Sequence, residues 1–157
     1  MLRERAWDVM RPDVLALRED MSLGEAATAL RRALRLGPDQ GCAVILSKDG
    51  EYLGVLTAWG LLMHLEECAL EDSLLTSAGS DFEDTFRQLC RKCFSRPVGE
   101  VARLDAPVVK PAEPLFLVLR ALLGAKQRFA VVKEGDKVLG VIAAEDLFRE
   151  LELDLEG

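Results

Sequence analysis

The strongest constraint in this sequence is a corner that occurs twice. Lys137 to Asp146 reads Lys-Val-Leu-Gly-Val-Ile-Ala-Ala-Glu-Asp, and Glu51 to Gly60 reads Glu-Tyr-Leu-Gly-Val-Leu-Thr-Ala-Trp-Gly. In each, β-forming residues surround a glycine and a helix opens directly after. A strand that turns at once into a helix leaves unpaired backbone N–H groups at the helix start, and such an end favours anions. The rest of the chain makes sense as two copies of the unit that builds this corner.

Around the first corner the order is short strand, helix, strand, hairpin, strand, helix. Val14-Leu15-Ala16-Leu17 is extended, and Ser22-Leu-Gly-Glu25 is a capping box that starts a helix. Leu23, Ala26, Ala27, Leu30, Ala33 and Leu34 form its buried stripe, and Gly37-Pro38 stops it. Cys42 to Leu46 is a buried strand, Lys48 to Glu51 a hairpin turn, Tyr52 to Leu56 the returning strand, and a helix follows from Ala58 to Cys68.

The second half repeats this order. Glu100-Val101 answers Asp8-Val9, and Val108-Val109 answers Ala16-Leu17. Pro114 opens a helix through Leu123 that Gly124 ends. Phe129 to Val132, a turn over Lys133 to Lys137, Val138 to Ile142 and a helix from Ala144 complete the copy. The first copy carries six extra residues, placed at Arg35 to Gly41. Each copy is too small to bury its own sheet and helices well, so the two should pack together with their corners meeting at a shared cleft.

Composition agrees with a folded chain. Half of the 157 residues are apolar, enough for one core or for two halves sharing one. The net charge is −7 and no run of Lys or Arg forms a basic face, which argues against nucleic acid and anionic membrane as partners. No apolar run approaches the roughly 18–20 residues of a membrane span. The start, Met1-Leu-Arg-Glu-Arg, lacks the apolar core of a signal peptide. Four cysteines do not make a disulfide scaffold, so the expectation is a cytoplasmic protein with reduced thiols.

Between the copies lies an inserted helical hairpin. Thr76-Ser-Ala-Gly-Ser80 marks its tip, and Asp81 caps a helix in which Phe82, Phe86, Leu89, Cys90, Cys93 and Phe94 share one face. The expected division is a first repeat over 1–66, the insertion over 67–96 and a second repeat over 97–157. Cys90-Arg-Lys-Cys93 is too small a set for a structural zinc site, and both cysteines read as core residues of the inserted helix, so no metal is expected. His64, the single histidine, reads as a helix-surface or packing residue. With no metal cluster, no phosphate-cradling glycine loop and no nucleophile beside a base, an enzyme is not expected.

Asp8-Val-Met-Arg-Pro-Asp-Val, Met21-Ser-Leu-Gly-Glu-Ala-Ala and Gly54-Val-Leu-Thr together resemble the cystathionine-β-synthase-type (CBS) domain. Gln127-Arg-Phe-Ala-Val-Val and Leu139-Gly-Val-Ile-Ala-Ala-Glu-Asp-Leu resemble a second copy. The whole is similar to a tandem CBS pair, or Bateman module, free-standing and covering nearly everything except residues 66–96. The resemblance implies an α/β fold of two β-α-β-β-α repeats packed with pseudo-twofold symmetry. It also implies clefts that take adenosine nucleotides, a disc-like homodimer, and a regulatory rather than catalytic role. The expected ligands are AMP, ADP, ATP or S-adenosylmethionine, and the expected output is a signal to a client protein.

In the family, the corner carries a Thr or Ser near phosphate and, three residues later, an Asp on the ribose hydroxyls. Here the first corner keeps Thr57 but has Gly60, and the second keeps Asp146 but has Ala143. The resemblance therefore implies a site at the Asp146 cleft. Backbone around Ala106 to Val108 would meet the base, Asp146 the ribose and Arg128 a phosphate, with Ala130 and Ile142 as apolar walls. Thr57 belongs to the other cleft. Thr57 also reads as an N-cap and Asp146 as a carboxylate at the third helical position, where each stabilises a helix without any ligand. The split motif leaves a rival function open: a ligand-free structural or interaction module that keeps the fold as a dimerisation scaffold.

Overall fold

The computed structural model describes residues 3–37, 41–71, 82–101 and 105–156. In chain order the elements are α1 (Ala6–Val9), β1 (Leu15–Arg18), α2 (Leu23–Leu36), β2 (Cys42–Leu46), β3 (Tyr52–Thr57), α3 (Ala58–Glu71), α4 (Phe82–Phe94), α5 (Val98–Val101), β4 (Val108–Val109), α6 (Leu115–Ala125), β5 (Phe129–Glu134), β6 (Lys137–Ala143) and α7 (Ala144–Glu156). The loop tip expected at Thr76–Ser80, the Asp81 cap and part of the six-residue expansion lie outside the described residues.

Two three-stranded sheets, β1-β2-β3 and β4-β5-β6, share one topology: a parallel pair joined through a helix, then an antiparallel hairpin. The same register shift interrupts both hairpins, between Ile45 and Leu46 and between Val132 and Lys133. The extra residue is Leu53 in one copy and Leu139 in the other. Each turns its side chain to the helix side of its sheet. A shared irregularity of this kind shows the repeat more sharply than matching strand lengths do.

Strand alternation sorts the core into layers. Ala43, Ile45 and Leu56 face Leu23, Ala26 and Leu30 of α2. Ala130, Val132 and Ile142 face Leu115, Val118 and Leu122 of α6. The opposite faces, Cys42, Val44 and Val55 on one sheet and Val131 and Val141 on the other, pack in one cluster between the repeats. Ala130 and Ile142, expected as cleft walls, are thus fully buried on the helix side. A shift of one residue along a strand exchanges the two faces, and these two positions have the wrong parity for the cleft.

The leading segments of the repeats are exchanged. α1 belongs to the first repeat but docks on the second, where Ala6 is fully buried and the Ala6 and Trp7 N–H groups donate to the carbonyls of Glu113 and Pro111. In return α5, which leads the second repeat, docks on the first. Val98 enters that core, and its N–H donates to the Met21 carbonyl. This crossing locks the two repeats as one body.

Two boundaries differ from expectation. α6 does not stop at Gly124; it runs to Ala125, and Lys126 is the left-handed cap with φ 53°. α3 continues past Cys68 to Glu71 and so reaches α4. There Cys68 and Cys93 are joined by a disulfide, with Leu65, Ala69 and Leu89 around it. The expectation of four reduced thiols is corrected here: the pair is far apart in sequence, and only the packing of α3 on α4 brings the Cα atoms to 6.6 Å.

Candidate functional site

Asp146 sits where its helix position requires, with Oδ2 accepting the Ala143 N–H at 2.9 Å. It is only 7% exposed. The same carboxylate receives Arg11 at both oxygens, Nη2 to Oδ1 at 2.6 Å and Nε to Oδ2 at 3.1 Å, and Arg149 Nη1 at 3.2 Å. Arg11 arrives because the crossed leading segment runs along β6. Arg11 and Val141 exchange both backbone hydrogen bonds, and a Cβ at Gly140 would lie 2.7 Å from the Arg11 carbonyl oxygen.

The exchange also changes which segment faces this corner. It is Arg11 to Leu15, not Ala106 to Val108, that borders the adjoining cleft. That cleft of about 740 Å³ is lined by Arg11, Asp13, Val14, Arg32, Cys42 and Val141, among others. Val108 lies on β4, at the opposite edge of its sheet from β6, and is 49% exposed. Burial pushes the Cys42 thiol up to about 12, so this wall of the cleft carries a neutral sulfur and not a nucleophile.

A second cavity of about 470 Å³ opens between the repeats at the first corner. Thr57, Trp59 and Met63 line it from β3 and α3, and Lys126, Gln127, Arg128 and Phe129 from the start of β5. Two of the residues expected to bind ligand, Thr57 and Arg128, therefore share one cavity, and Asp146 does not line it. Thr57 Oγ1 accepts the Gly60 N–H at 3.0 Å, which leaves its own O–H to donate. Arg128 is 74% exposed at its side chain and pairs with Glu145, the residue beside Asp146. The cavity also holds two groups the sequence reading passed over. Trp59, 71% exposed, stands one position before Gly60, where the second corner has Glu145 before Asp146. Lys126 is carried there by the left-handed cap.

The CBS-domain family matches this chain twice, over residues 6–67 and 98–153. The chain belongs to the CBS-domain family. Its CBS repeats superpose on solved CBS structures. The CBS-domain containing protein from Agrobacterium tumefaciens matches with a TM-score of 0.66 at 19% identity, covering 92% of this chain and 91% of that one. The CBS domain pair of protein MJ0100, in complex with 5′-methylthioadenosine and S-adenosyl-L-methionine, gives 0.68 at 14% identity and covers 96% and 98%. CBSX2 in complex with AMP gives 0.67 at 17% identity and covers 98% of both chains. No curated protein matches at the level of sequence. At these identities the structures show a shared CBS-pair fold. No described helix is long and apolar enough to cross a membrane.

Proposed function

We propose that this CBS pair is a non-enzymatic regulatory sensor that binds an adenosine-type nucleotide in the cavity between Thr57 and Arg128 and signals to a partner protein. The observation that carries the reading is the convergence of Trp59, Lys126, Arg128 and the Thr57 hydroxyl on one cavity of ligand size. An indole face suits a purine, and two cations with a hydroxyl donor suit phosphate oxygens. Solved relatives holding AMP or S-adenosyl-L-methionine support the ligand class. Leu62 on α3 and Phe148 on α7, 57% and 68% exposed, support a homodimer formed through the corner helices. The cytoplasm is the compartment in which such a sensor would meet its nucleotide.

Asp146 favours a second reading. A carboxylate already holding Arg11 and Arg149 has no oxygen left for a ribose, as a scaffold that has lost its ligand would show. Thermal-shift titration with AMP, ADP, ATP, S-adenosylmethionine and NAD separates the two. A ligand at about 100 times its Kd adds roughly 2.7 kcal/mol of stability. The sensor reading expects a shift with one of them that Arg128→Ala and Trp59→Ala abolish and Asp146→Asn leaves in place. A shift lost only in Asp146→Asn moves the site to the larger cleft. No shift with any of the five leaves the scaffold.

A further inference from the structure

The disulfide between α3 and α4 has a neighbour that a purely structural bond does not need. His64 lies one helical turn before Cys68 on α3, and its Nε2 is 3.9 Å from the Cys68 sulfur. Its side chain is buried, and it is one of two buried polar or charged residues among the described ones. On α4, Cys90 precedes Cys93 by three residues, so it lies on the adjoining part of the same helix face. Two helices thus bring together His64-x₃-Cys68 and Cys90-x₂-Cys93. Read along the sequence, Cys68 is distant from the Cys90–Cys93 pair; in space it is bonded to Cys93.

We infer that, with the disulfide opened, His64, Cys68 and Cys93 form a zinc site, with Cys90 as the fourth ligand. In this structure the described residues contain no group of three His, Cys, Asp or Glu side chains arranged for a metal ion. Opening the Cys68–Cys93 bond frees two sulfurs beside His64. Zinc takes sulfur at roughly 2.3 Å and imidazole nitrogen at roughly 2.0–2.1 Å in a tetrahedron, which places neighbouring donors roughly 3.6 Å apart. The His64–Cys68 separation of 3.9 Å is already near that edge. The Cys68 and Cys93 sulfurs have only to part from bonding distance, which an exchange of S–S for S–Zn–S accomplishes without separating the helices. The surrounding Leu65, Ala69 and Leu89 keep the centre dry, as a closed structural site requires.

The chemistry balances with a dithiol as reductant. Two electrons and two protons pass from the dithiol to the Cys68–Cys93 bond, the dithiol becomes a disulfide, and two protein thiols result. Zinc then displaces the thiol protons and binds the thiolates together with neutral His64. Oxidation by a disulfide reverses the sequence and releases the metal. The centre would fasten the inserted helix α4 to the corner helix α3 in either state, by a covalent bond or by a metal. It is independent of the nucleotide reading, because none of its ligands lines either cavity.

The test is zinc binding to the full chain, fully reduced and fully oxidised, by competition against a chromophoric chelator. The expected result is one tightly held zinc per reduced chain and none per oxidised chain. Cys68→Ser and Cys93→Ser should weaken binding by more than the roughly 10–100-fold that a lost outer partner costs, and His64→Asn should weaken it too. Cobalt in place of zinc should show thiolate-to-metal absorption. Wild-type chain alone gives a further readout that does not depend on variants folding: zinc should protect Cys68 and Cys93 from alkylation. A reduced chain that takes up no stoichiometric zinc, or one whose Cys68 and Cys93 alkylate equally fast with zinc present, overturns the inference. So does an oxidised chain that binds zinc as tightly as the reduced one.

Discussion

Arg11 and Asp146, 135 residues apart, meet through two hydrogen bonds at a carboxylate that is 7% exposed. Arg11 stands in the crossed leading segment of the first repeat and Asp146 at the corner of the second, so the pair is also a clasp between repeats. Its removal tests whether Asp146 is a structural residue. Arg11→Met keeps the apolar stem and removes the guanidinium, leaving Asp146 with Arg149 and the Ala143 N–H. The expected loss is about 1–3 kcal/mol in urea unfolding, the cost of stripping one charged partner from a buried group. A change within about 0.5 kcal/mol, as at an ordinary surface site, would show that the carboxylate does not depend on the clasp.

The crossing makes a second prediction at Gly140. A methyl group there meets the Arg11 carbonyl at 2.7 Å and Met10 at 3.1 Å. Gly140→Ala must therefore push the leading segment off β6, at about 1–3 kcal/mol. Gly124→Ala is the matched contrast. It lies in α6 with nothing within 4 Å of the added carbon, and should stabilise by about 0.5–1 kcal/mol. Thermal melts of both variants check the pair; equal shifts would mean that the crowding at Gly140 is relieved at no cost.

Much of this architecture was legible from local pattern. Ser22 caps α2 by accepting the Glu25 N–H, and β2 spans the apolar run Cys42–Leu46 as its composition implies. Apart from helix ends such as Lys126, which caps α6 two residues past Gly124, the failures are long-range. The parity of Ala130 and Ile142 depends on which face of a wholly apolar strand meets the other repeat, and a strand buried on both faces carries no alternation to decide it. The exchange of leading segments, which replaces Ala106–Val108 by Arg11–Leu15 beside the second corner, has no local signature at all. Nor does Cys68 announce Cys93, since their meeting depends on how the insertion folds back. The repeat pattern assigns Thr57 and Arg128 to different clefts, and tertiary packing puts them in one.

Alkaline pH should weaken the interface between the sheets. Burial raises the Cys42 thiol from 9.0 to about 12, and burial, with smaller contributions from Cys42 and Asp105, raises the Tyr52 hydroxyl from 10.0 to about 12. In both, the folded state holds its proton after the unfolded chain has lost its own. Stability is therefore complete below pH 9.0 and falls as pH rises toward about 12. For Cys42 the loss is on the order of 4 kcal/mol by the top of that window. Urea midpoints at increasing pH should decline for the wild type and decline less for Cys42→Ala. Parallel declines would place the alkaline sensitivity elsewhere.

The insertion supplies the last prediction. Cys68–Cys93 closes a loop with a sequence separation of 25, and a cross-link of that span restricts the unfolded chain by about 3 kcal/mol. Metal-free reduction should lower stability by that order. The effect should also be local at first, because the cysteines and Leu89 form a satellite cluster separate from the three cores of the sheets. Native-state hydrogen exchange should show faster opening over Phe82–Phe94 on reduction while amides of Phe129–Glu134 keep their protection. Loss of protection at both places to the same extent would show that the inserted helix is part of the cooperative unit. The difference follows from where the elements sit: β5 is the middle strand of its sheet and is packed on both faces along its length, whereas α4 is held by the disulfide cluster and, at its C-terminal end, by Phe94 against the first-repeat core.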